Sequence, residues 1–390
     1  MRITNLQLKN YRNICHMELF LGESINIFYG DNAQGKTNIL ESIYVCAIGR
    51  SHRTHKDKEL IKFGEDNAYI ALATATINNN YLNKININIK NKQNDKIYKV
   101  SKTTKGIAIN NIAIKKIGEL FGNINIVMFS PEDLNIVKQS PQERRKFLDM
   151  ELCQINNLYN YNLSQYYKIL KQRNMLLKKV NKSVTNNLKA FDEFKNNIYV
   201  WDKQLIEVGT KVINNREEFV KKIDNIASDI HFKITNKRER LSIKYKPSVN
   251  PLDFEHKLLN SLDKDIIYKS TSYGPHKDDI VFYVNDVNLK DFGSQGQQRT
   301  AILSTKLAEI DIIKLEKNIR PILLLDDVLS ELDKSRQEYL INNITDMQVI
   351  ITCTGVEDVI KNFSNNIDKD GIIELFEVLD GAIINKNNNK

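Results

Sequence analysis

Eight residues, Gly30-Asp31-Asn32-Ala33-Gln34-Gly35-Lys36-Thr37, restrict what this chain can fold into more than any other stretch. They match G-x-x-x-x-G-K-T. Before them Ile25, Ile27, Phe28 and Tyr29 form an apolar run of strand length; after them Ile39, Leu40, Ile43, Tyr44 and Ala47 recur at helical spacing. A strand, a glycine-rich turn and a helix, in that order, is the context a P-loop requires. Its glycines let the backbone curl so that successive N–H groups face phosphate oxygens at the positive end of the helix. On this pattern Gly30 to Thr37 bind ATP, with Lys36 reaching the β and γ phosphates and the Thr37 hydroxyl taking a Mg²⁺ position.

A second buried strand supplies the acid that such a site needs. Pro321-Ile322-Leu323-Leu324-Leu325 is fully apolar and runs into Asp326-Asp327. That is the pattern of a buried parallel strand whose end faces the metal. Asp326 is placed to bind Mg²⁺ through water, and Asp327 to polarise the attacking water. Almost 300 residues separate this strand from the P-loop, so a nucleotide-binding sheet must be assembled from both ends of the chain.

The intervening sequence changes period twice. Residues 3 to 29 read as two strands, Ile3 to Leu8 and Glu18 to Tyr29. From Ala68 to Ile114 apolar residues alternate, as in Ile70, Leu72, Thr74 and Thr76, then Ile85, Ile87 and Ile89, which predicts an antiparallel meander. Ile124 to Phe129 reads as a further strand. Ser140-Pro141-Gln142-Glu143 then looks like a helix start, with Ser140 as N-cap and Glu143 completing a capping box. Phe191, Phe194, Ile198, Trp201, Leu205, Val208 and Val212 follow spacings of 3 and 4 in alternation, and Phe219, Ile223, Ile226 and Ile230 resume the stripe. With Leu163, Tyr167, Leu170 and Leu177 as the facing stripe and Asn181 to Asn187 as the turn, this predicts an antiparallel helical hairpin. Two ordinary helices on a globular core are the plainer reading. Mixed α/β pattern returns from Asp265. Ser294-Gln295-Gly296-Gln297 opens a helical pattern and offers a second anion site at a helix N-terminus. Val349 to Ile351 is another strand, and the tail Asn385 to Lys390 is expected to be disordered.

Composition sharpens the functional class. The 57 basic and 48 acidic residues leave a formal charge of +9, which suits a polyanionic partner such as nucleic acid. No run of about 18 apolar residues exists and the N-terminus has no signal-peptide pattern, so a cytoplasmic protein with no membrane partner is expected. Cys15, Cys46, Cys153 and Cys353 form no C-x-x-C pair and read as reduced thiols, indicating neither zinc nor disulfides.

In its layout the chain resembles the ABC-type ATPase heads of the SMC class, with Ser294 to Gln297 in the place of the signature motif and Ser330 to Asp333 in that of the D-loop. Within that class it is similar, over essentially its whole length, to the RecF family of bacterial recombination mediators. The likeness is carried by the P-loop, by Arg50-Ser51-His52-Arg53-Thr54, by Phe129-Ser130-Pro131-Glu132-Asp133-Leu134, by Arg144-Arg145-Lys146-Phe147-Leu148-Asp149, by Gly274-Pro275-His276-Lys277-Asp278-Asp279 and by Leu325 to Asp333. The resemblance implies an α/β P-loop NTPase of the ABC/SMC head type with an antiparallel β subdomain and an inserted α-helical hairpin domain. Residues 1–134 would be the N-terminal half of the head, with the meander at about 66–115; 135–262 the hairpin; and 263–390 the C-terminal half. It further implies a weak ATPase that dimerises on ATP and binds single-stranded and gapped DNA. Such a protein works with RecO and RecR, and through them RecA, in gap repair, DNA replication and the SOS response. Ser294, Gly296 and Gln297 would then reach the nucleotide held by the other copy's Lys36.

Three departures from the general ABC pattern bear on rate. Asp327 stands where most such heads have Glu, Thr352 or Thr354 where many have a switch His, and no clear Q-loop glutamine precedes Glu132. All three disfavour rapid hydrolysis and favour a nucleotide-gated clamp. The alternative is a structural, SMC-like DNA-tethering ATPase, which arms of about 45 residues, spanning only ~65 Å, are too short to serve. An ABC transporter ATPase is disfavoured by the helical insertion and the basic charge. A P-loop kinase would have no use for the block at Ser294.

Overall fold

A computed structural model describes residues 1–75, 82–93, 101–181, 186–344, 346–364 and 373–389. By contacts the chain divides into two units, Met1–Asp133 with Lys306–Lys390, and Leu134–Thr305. Residues 263–305, grouped above with the C-terminal half of the head, therefore belong to the second unit. Thr76 and most of the turn after Asn181 lie outside the described residues.

The first unit opens with β1 (Arg2–Tyr11), β2 (Ile14–Phe20) and β3 (Ile25–Tyr29). The expected run from Glu18 to Tyr29 is thus broken in two at Leu21–Ser24. Its halves enter different sheets: β2 pairs antiparallel with β1, while β3 pairs parallel with a strand more than 300 residues later. Helix α1 (Lys36–Ile48) follows, then β4 (Asn67–Ala75), β5 (Leu82–Gln93), β6 (Ser101–Ile109) and the short β7 (Ile112–Ala113). These strands make the expected meander, and with β1 and β2 complete a six-stranded antiparallel sheet ordered β2-β1-β4-β5-β6-β7. The Asn-rich β5 keeps its place because Ile85, Ile87 and Ile89 are all fully buried. Strand β8 (Ile126–Phe129) closes the N-terminal part.

In the second unit Pro141–Ile155 is helical with Pro at its first position, but the Ser140 side chain makes no capping bond. The hairpin follows: α2 (Asn157–Lys179) and α3 (Leu188–Ile234). Its arms are unequal, 23 against 47 residues, or about 35 and 70 Å. The stripe on α3 buries Phe194, Ile198, Leu205, Val212, Phe219, Ile223 and Ile230 as expected. On α2 the buried set is Tyr159, Asn162, Tyr166, Ile169, Leu170, Arg173 and Leu177, so the seam runs through Tyr166 and the exposed neighbour is Tyr167. The seam also holds buried polar contacts. Arg173, wholly buried, donates to Asp202 of α3 at 2.5 Å, and to Asp265 at 2.6 Å and Thr271 at 2.9 Å. A second buried guanidinium, Arg216, reaches Asp149 (2.7 Å), Asp278 (3.0 Å) and the Pro275 carbonyl (2.7 Å). A three-stranded sheet, β9 (Leu241–Lys246), β10 (Asp279–Val284) and β11 (Val287–Asn288), completes this unit.

Helix α4 (Gln295–Lys317) begins in the second unit and ends in the first. The chain then lays down β12 (Ile322–Asp326), β13 (Val349–Cys353), β14 (Ile373–Leu379) and β15 (Ala382–Asn389). The resulting sheet, β15-β14-β3-β13-β12-β8, is parallel except for its edge strand β15. The expected disorder from Asn385 is overturned by this pairing: Asn385 through Asn389 are in register with Glu377 through Ile373. Backbone ladder bonds to β14 outweigh the polar composition of the tail. Gln348 joins the unit's two sheets, accepting from Ile3 N at 2.7 Å and donating to Ile3 O at 2.8 Å.

Candidate nucleotide site

The P-loop lies between β3 and α1, and its shape follows from three positive-φ residues. Gly30 (φ 141°), Ala33 (φ 66°) and Gly35 (φ 109°) turn the backbone so that α1 starts at Lys36. At Gly30 a Cβ would sit 2.5 Å from the Val378 carbonyl, and at Gly35 it would sit 2.8 Å from the Asn13 amide. Neither position admits a side chain without displacement. Asn38 N already donates to Gly35 O at 3.0 Å, and the amides that precede it at the start of α1 have no carbonyl one turn back to donate to, so the loop presents donors and a positive dipole end to an anion.

The loop is fastened from three places. The Asn13 side chain donates to Gln34 O (3.1 Å) and accepts from Asn38 Nδ2 (2.8 Å). From the turn between β14 and β15, Asp380 N donates to Gln34 Oε1 (2.7 Å) and Gly381 N to Gln34 O (2.8 Å). Lys36 Nζ crosses the loop to the carbonyls of Gly30 (2.6 Å) and Asp31 (2.7 Å). Burial lowers the pKa of that ammonium, against the attraction of Asp327. Asp31, Asn32 and Ala33 are exposed at the rim.

Opposite the loop, β12 delivers Asp326. Thr37 Oγ1 donates to Asp326 Oδ1 at 2.8 Å, joining residues 289 apart in sequence. Thr352, expected near the place of a switch histidine, also donates to Asp326 Oδ1 at 2.8 Å, from β13. Burial raises the Asp326 pKa, opposed by these two hydrogen bonds, and the charge of Glu132 raises it further. A hydroxyl beside a buried carboxylate is an all-oxygen donor pair, which suits Mg²⁺ completed by phosphate and water. The next residue, Asp327, is held at φ 53°, with its N–H directed to Thr352 Oγ1 (3.1 Å) and its carbonyl accepting from Ser330 Oγ (2.7 Å).

Several contributors escaped the sequence reading. Glu41 of α1 is fully buried, and Arg12, Tyr11 and Ser51 all donate to it at 2.6–3.0 Å. Although burial opposes ionisation, the Arg12 and Ser51 bonds hold its carboxyl below the ordinary range. This cluster anchors the loop before Thr54, from which Arg53 Nη1 donates to Asn38 Oδ1 at 2.9 Å. Arg50 is exposed. A groove of about 880 Å³, lined by Arg12, Asn13, Asn38, Arg53, Lys62 and Phe63 among others, opens beside these residues. An acid amid the apolar spacing of α1 was the signal for Glu41.

Ser294 belongs to the second unit and is exposed. Its hydroxyl accepts from Gln297 N (3.2 Å) while Gln297 Oε1 accepts from Ser294 N (3.0 Å), a reciprocal capping box at the start of α4. The Gln297 amide also donates to Glu239 (2.9 Å), so this side chain is engaged locally, and Gly296 is half-buried. His276 has a structural setting: its ring nitrogens meet Tyr166 OH (2.6 Å) and Thr271 O (3.0 Å), and burial pushes its pKa down to about 4.

Comparison with known proteins agrees with this architecture. The sequence profile of the RecF/RecN/SMC N-terminal domain matches residues 2–369. A DNA replication and repair protein RecF from Lachnospira eligens is 48% identical over 387 residues, covering 99% of this chain and 100% of the relative. The chain belongs to the RecF family. The RecF of Agathobacter rectalis is 45% identical over 388 residues, with 98% of this chain and 99% of that protein covered. Among solved structures, the recombination mediator protein RecF-ATP of the RecFOR pathway superposes with a TM-score of 0.84 at 32% identity, covering 100% of this chain and 97% of that one. The Smc head domain of Pyrococcus furiosus, at 15% identity and a TM-score of 0.54, shares the fold over 100% of this chain and 96% of that one. The fold is therefore that of an ABC-type ATPase head of the RecF and SMC kind. No described helix is long and apolar enough to cross a membrane.

Proposed function

We propose that this RecF-family chain is an ATP-binding protein of DNA replication and repair whose nucleotide gates a grip on DNA. The observation that carries the reading is the Thr37–Asp326 contact at 2.8 Å, which brings P-loop and buried acid together. In this reading the loop amides from Gly30 to Thr37 hold the phosphates, and Lys36 exchanges its two carbonyl partners for phosphate oxygens. Thr37 and Asp326 hold Mg²⁺, which when bound supplies charge neutralisation at the phosphates. The groove between Arg12, Arg53 and Phe63 offers volume and cations for the rest of the nucleotide.

Asp327 is assigned the attacking water. Its short side chain and its constrained backbone leave little freedom to approach, which supports slow hydrolysis and a long-lived closed state. Ser294, with Gly296 beside it, is assigned to the nucleotide of a second copy. Its exposure at a helix N-terminus supports this, whereas the Gln297 amide acts through the cap it forms with Ser294. Closure of a homodimer around two ATP molecules would create the DNA-binding state.

The finer role follows the family resemblance, with single-stranded and gapped DNA as ligand and RecR and RecO as partners that pass the site to RecA in gap repair and the SOS response, in the cytoplasm; the RecFOR pathway named for the solved RecF-ATP structure supports the RecO and RecR part. The net charge of +9 supports the nucleic-acid ligand. Sizing the protein alone, with ATP, and with ATP plus gapped DNA tests the whole reading. ATP should double the mass and DNA should enter only the doubled species; a monomer under all three conditions would overturn it.

A further inference from the structure

We propose that the exposed face of helix α2 is a binding surface for the nucleic-acid backbone. This rests on the DNA-binding reading above and adds where on the second unit contact is made. Across its 23 residues α2 carries Lys168, Lys171, Arg173, Lys178 and Lys179 and not one Asp or Glu. Arg173 is turned inward and neutralised by Asp202 and Asp265. The four lysines are exposed, and among the described residues none of them forms an ion pair.

The other arm shows what an ordinary solvated helix does. On α3, Lys211, Lys221 and Lys222 each sit four residues after a glutamate and pair with it, at 2.7, 2.8 and 2.9 Å. Such i, i+4 pairing is the usual way a helix surface balances its charge. On α2 the pattern is reversed: Lys168 and Lys171, three residues apart, repel one another with nothing between them. A helix face of one sign is kept where an opposite charge completes it.

Position along the helix fits a polyanionic chain. Tyr161, Lys168, Lys171, Met175 and Lys178 follow helical spacing on one exposed stripe. At 1.5 Å per residue it is roughly 25 Å long, about seven steps of a duplex strand. Tyr161, 58% exposed, stands at its start and offers a ring to an unpaired base or a sugar.

The test compares the full chain with a Lys168→Gln, Lys171→Gln, Lys178→Gln variant, which keeps helix propensity and removes three charges. Binding to a labelled single strand and to a duplex of the same length is followed with ATP from about 50 to 200 mM salt. The slope of log affinity on log salt should fall by about two to three for duplex, with at least a tenfold loss of affinity at about 0.1 M salt. A Lys→Arg version of the three sites should keep the wild-type slope, and Lys211→Gln, Lys221→Gln, Lys222→Gln should leave it unchanged. If the α2 variant binds ATP and both DNAs with the wild-type slope, the assignment is overturned. An α2 variant that no longer binds ATP is judged on the Lys168→Gln single variant, whose slope should fall by about one. A wild-type chain that binds ATP but neither DNA would instead sink the underlying reading and this surface with it.

Discussion

The buried Arg173 cluster yields a quantitative test of what holds the hairpin. Arg173→Met preserves side-chain length but leaves Asp202 and Asp265, both buried, without their shared cation. Breaking one side of a buried ion pair costs about 3–5 kcal/mol, because the remaining charge is neither solvated nor paired. The chain carries one tryptophan, Trp201, immediately before Asp202, so its fluorescence reports this unit alone. Denaturant unfolding at pH 7 should show a stability lowered by that amount, read as a lower midpoint at unchanged slope. The sign of the pH dependence is set by Asp202. Burial already raises its pKa against the pull of Arg173, and losing Arg173 raises it further. The folded variant then binds protons that the unfolded chain does not, so its deficit is largest above the folded pKa and shrinks as pH falls toward about 4. Replacing all three by apolar residues, Arg173→Met, Asp202→Leu and Asp265→Leu, should recover most of the loss. A single variant within 1 kcal/mol of wild type at pH 7, or an equal deficit at about pH 5, would refute the argument.

Other perturbations separate the parts of the nucleotide site. Lys36→Ala should abolish ATP binding by equilibrium titration while the unfolding of Trp201 stays at wild type, since Lys36 donates to carbonyls of its own loop in the first unit and Trp201 belongs to the second. Ser294→Arg should bind ATP normally yet remain a monomer by light scattering in its presence; an ATP-driven dimer would remove the role in the second copy. Gly30→Ala places a methyl 2.5 Å from Val378 O at φ 141°, and should lower thermal stability by at least ~1–3 kcal/mol and weaken ATP binding together. Asp326→Asn should keep the Thr37 and Thr352 contacts and the fold, but lose the Mg²⁺ dependence of ATP affinity, measured by titration with and without a chelator.

Much of this site could be read from residues in order, because its central parts are local. A P-loop is one turn, and Leu323 to Asp326 is one strand, so type and spacing suffice. What could not be read depends on pairing between distant segments. Glu18 to Tyr29 looked continuous because both its halves are apolar, and only the separate partners β1 and β13 reveal that they diverge. On α2 the seam runs through Tyr166 and not Tyr167, and Arg173, a residue type that periodicity counts as polar, occupies a core position once Asp202 and Asp265 arrive from elsewhere. The tail misled for the opposite reason: Asn385 to Asn389 have weak strand propensity, but an available edge on β14 decides the outcome.

That edge has a functional consequence. The turn joining β14 to β15 supplies two of the backbone bonds that fix Gln34, and Val378 bounds the space at Gly30. Asn13, from the turn between β1 and β2, fixes the other flank. Thr352 of β13 holds both Asp326 and the Asp327 amide. A phosphate loop encoded within eight residues is thus held in shape by segments near both termini, and its acid by β13, which lies between β3 and β12 in the sheet. Neither half of the first unit can present a finished nucleotide site alone. The 172 residues inserted between those halves fold as their own unit, and the exposed Ser294 lies within it. Nucleotide affinity therefore depends on the first unit, while the proposed contact with a second copy depends on the second. Variants in the hairpin seam should consequently alter assembly on ATP before they alter ATP binding itself.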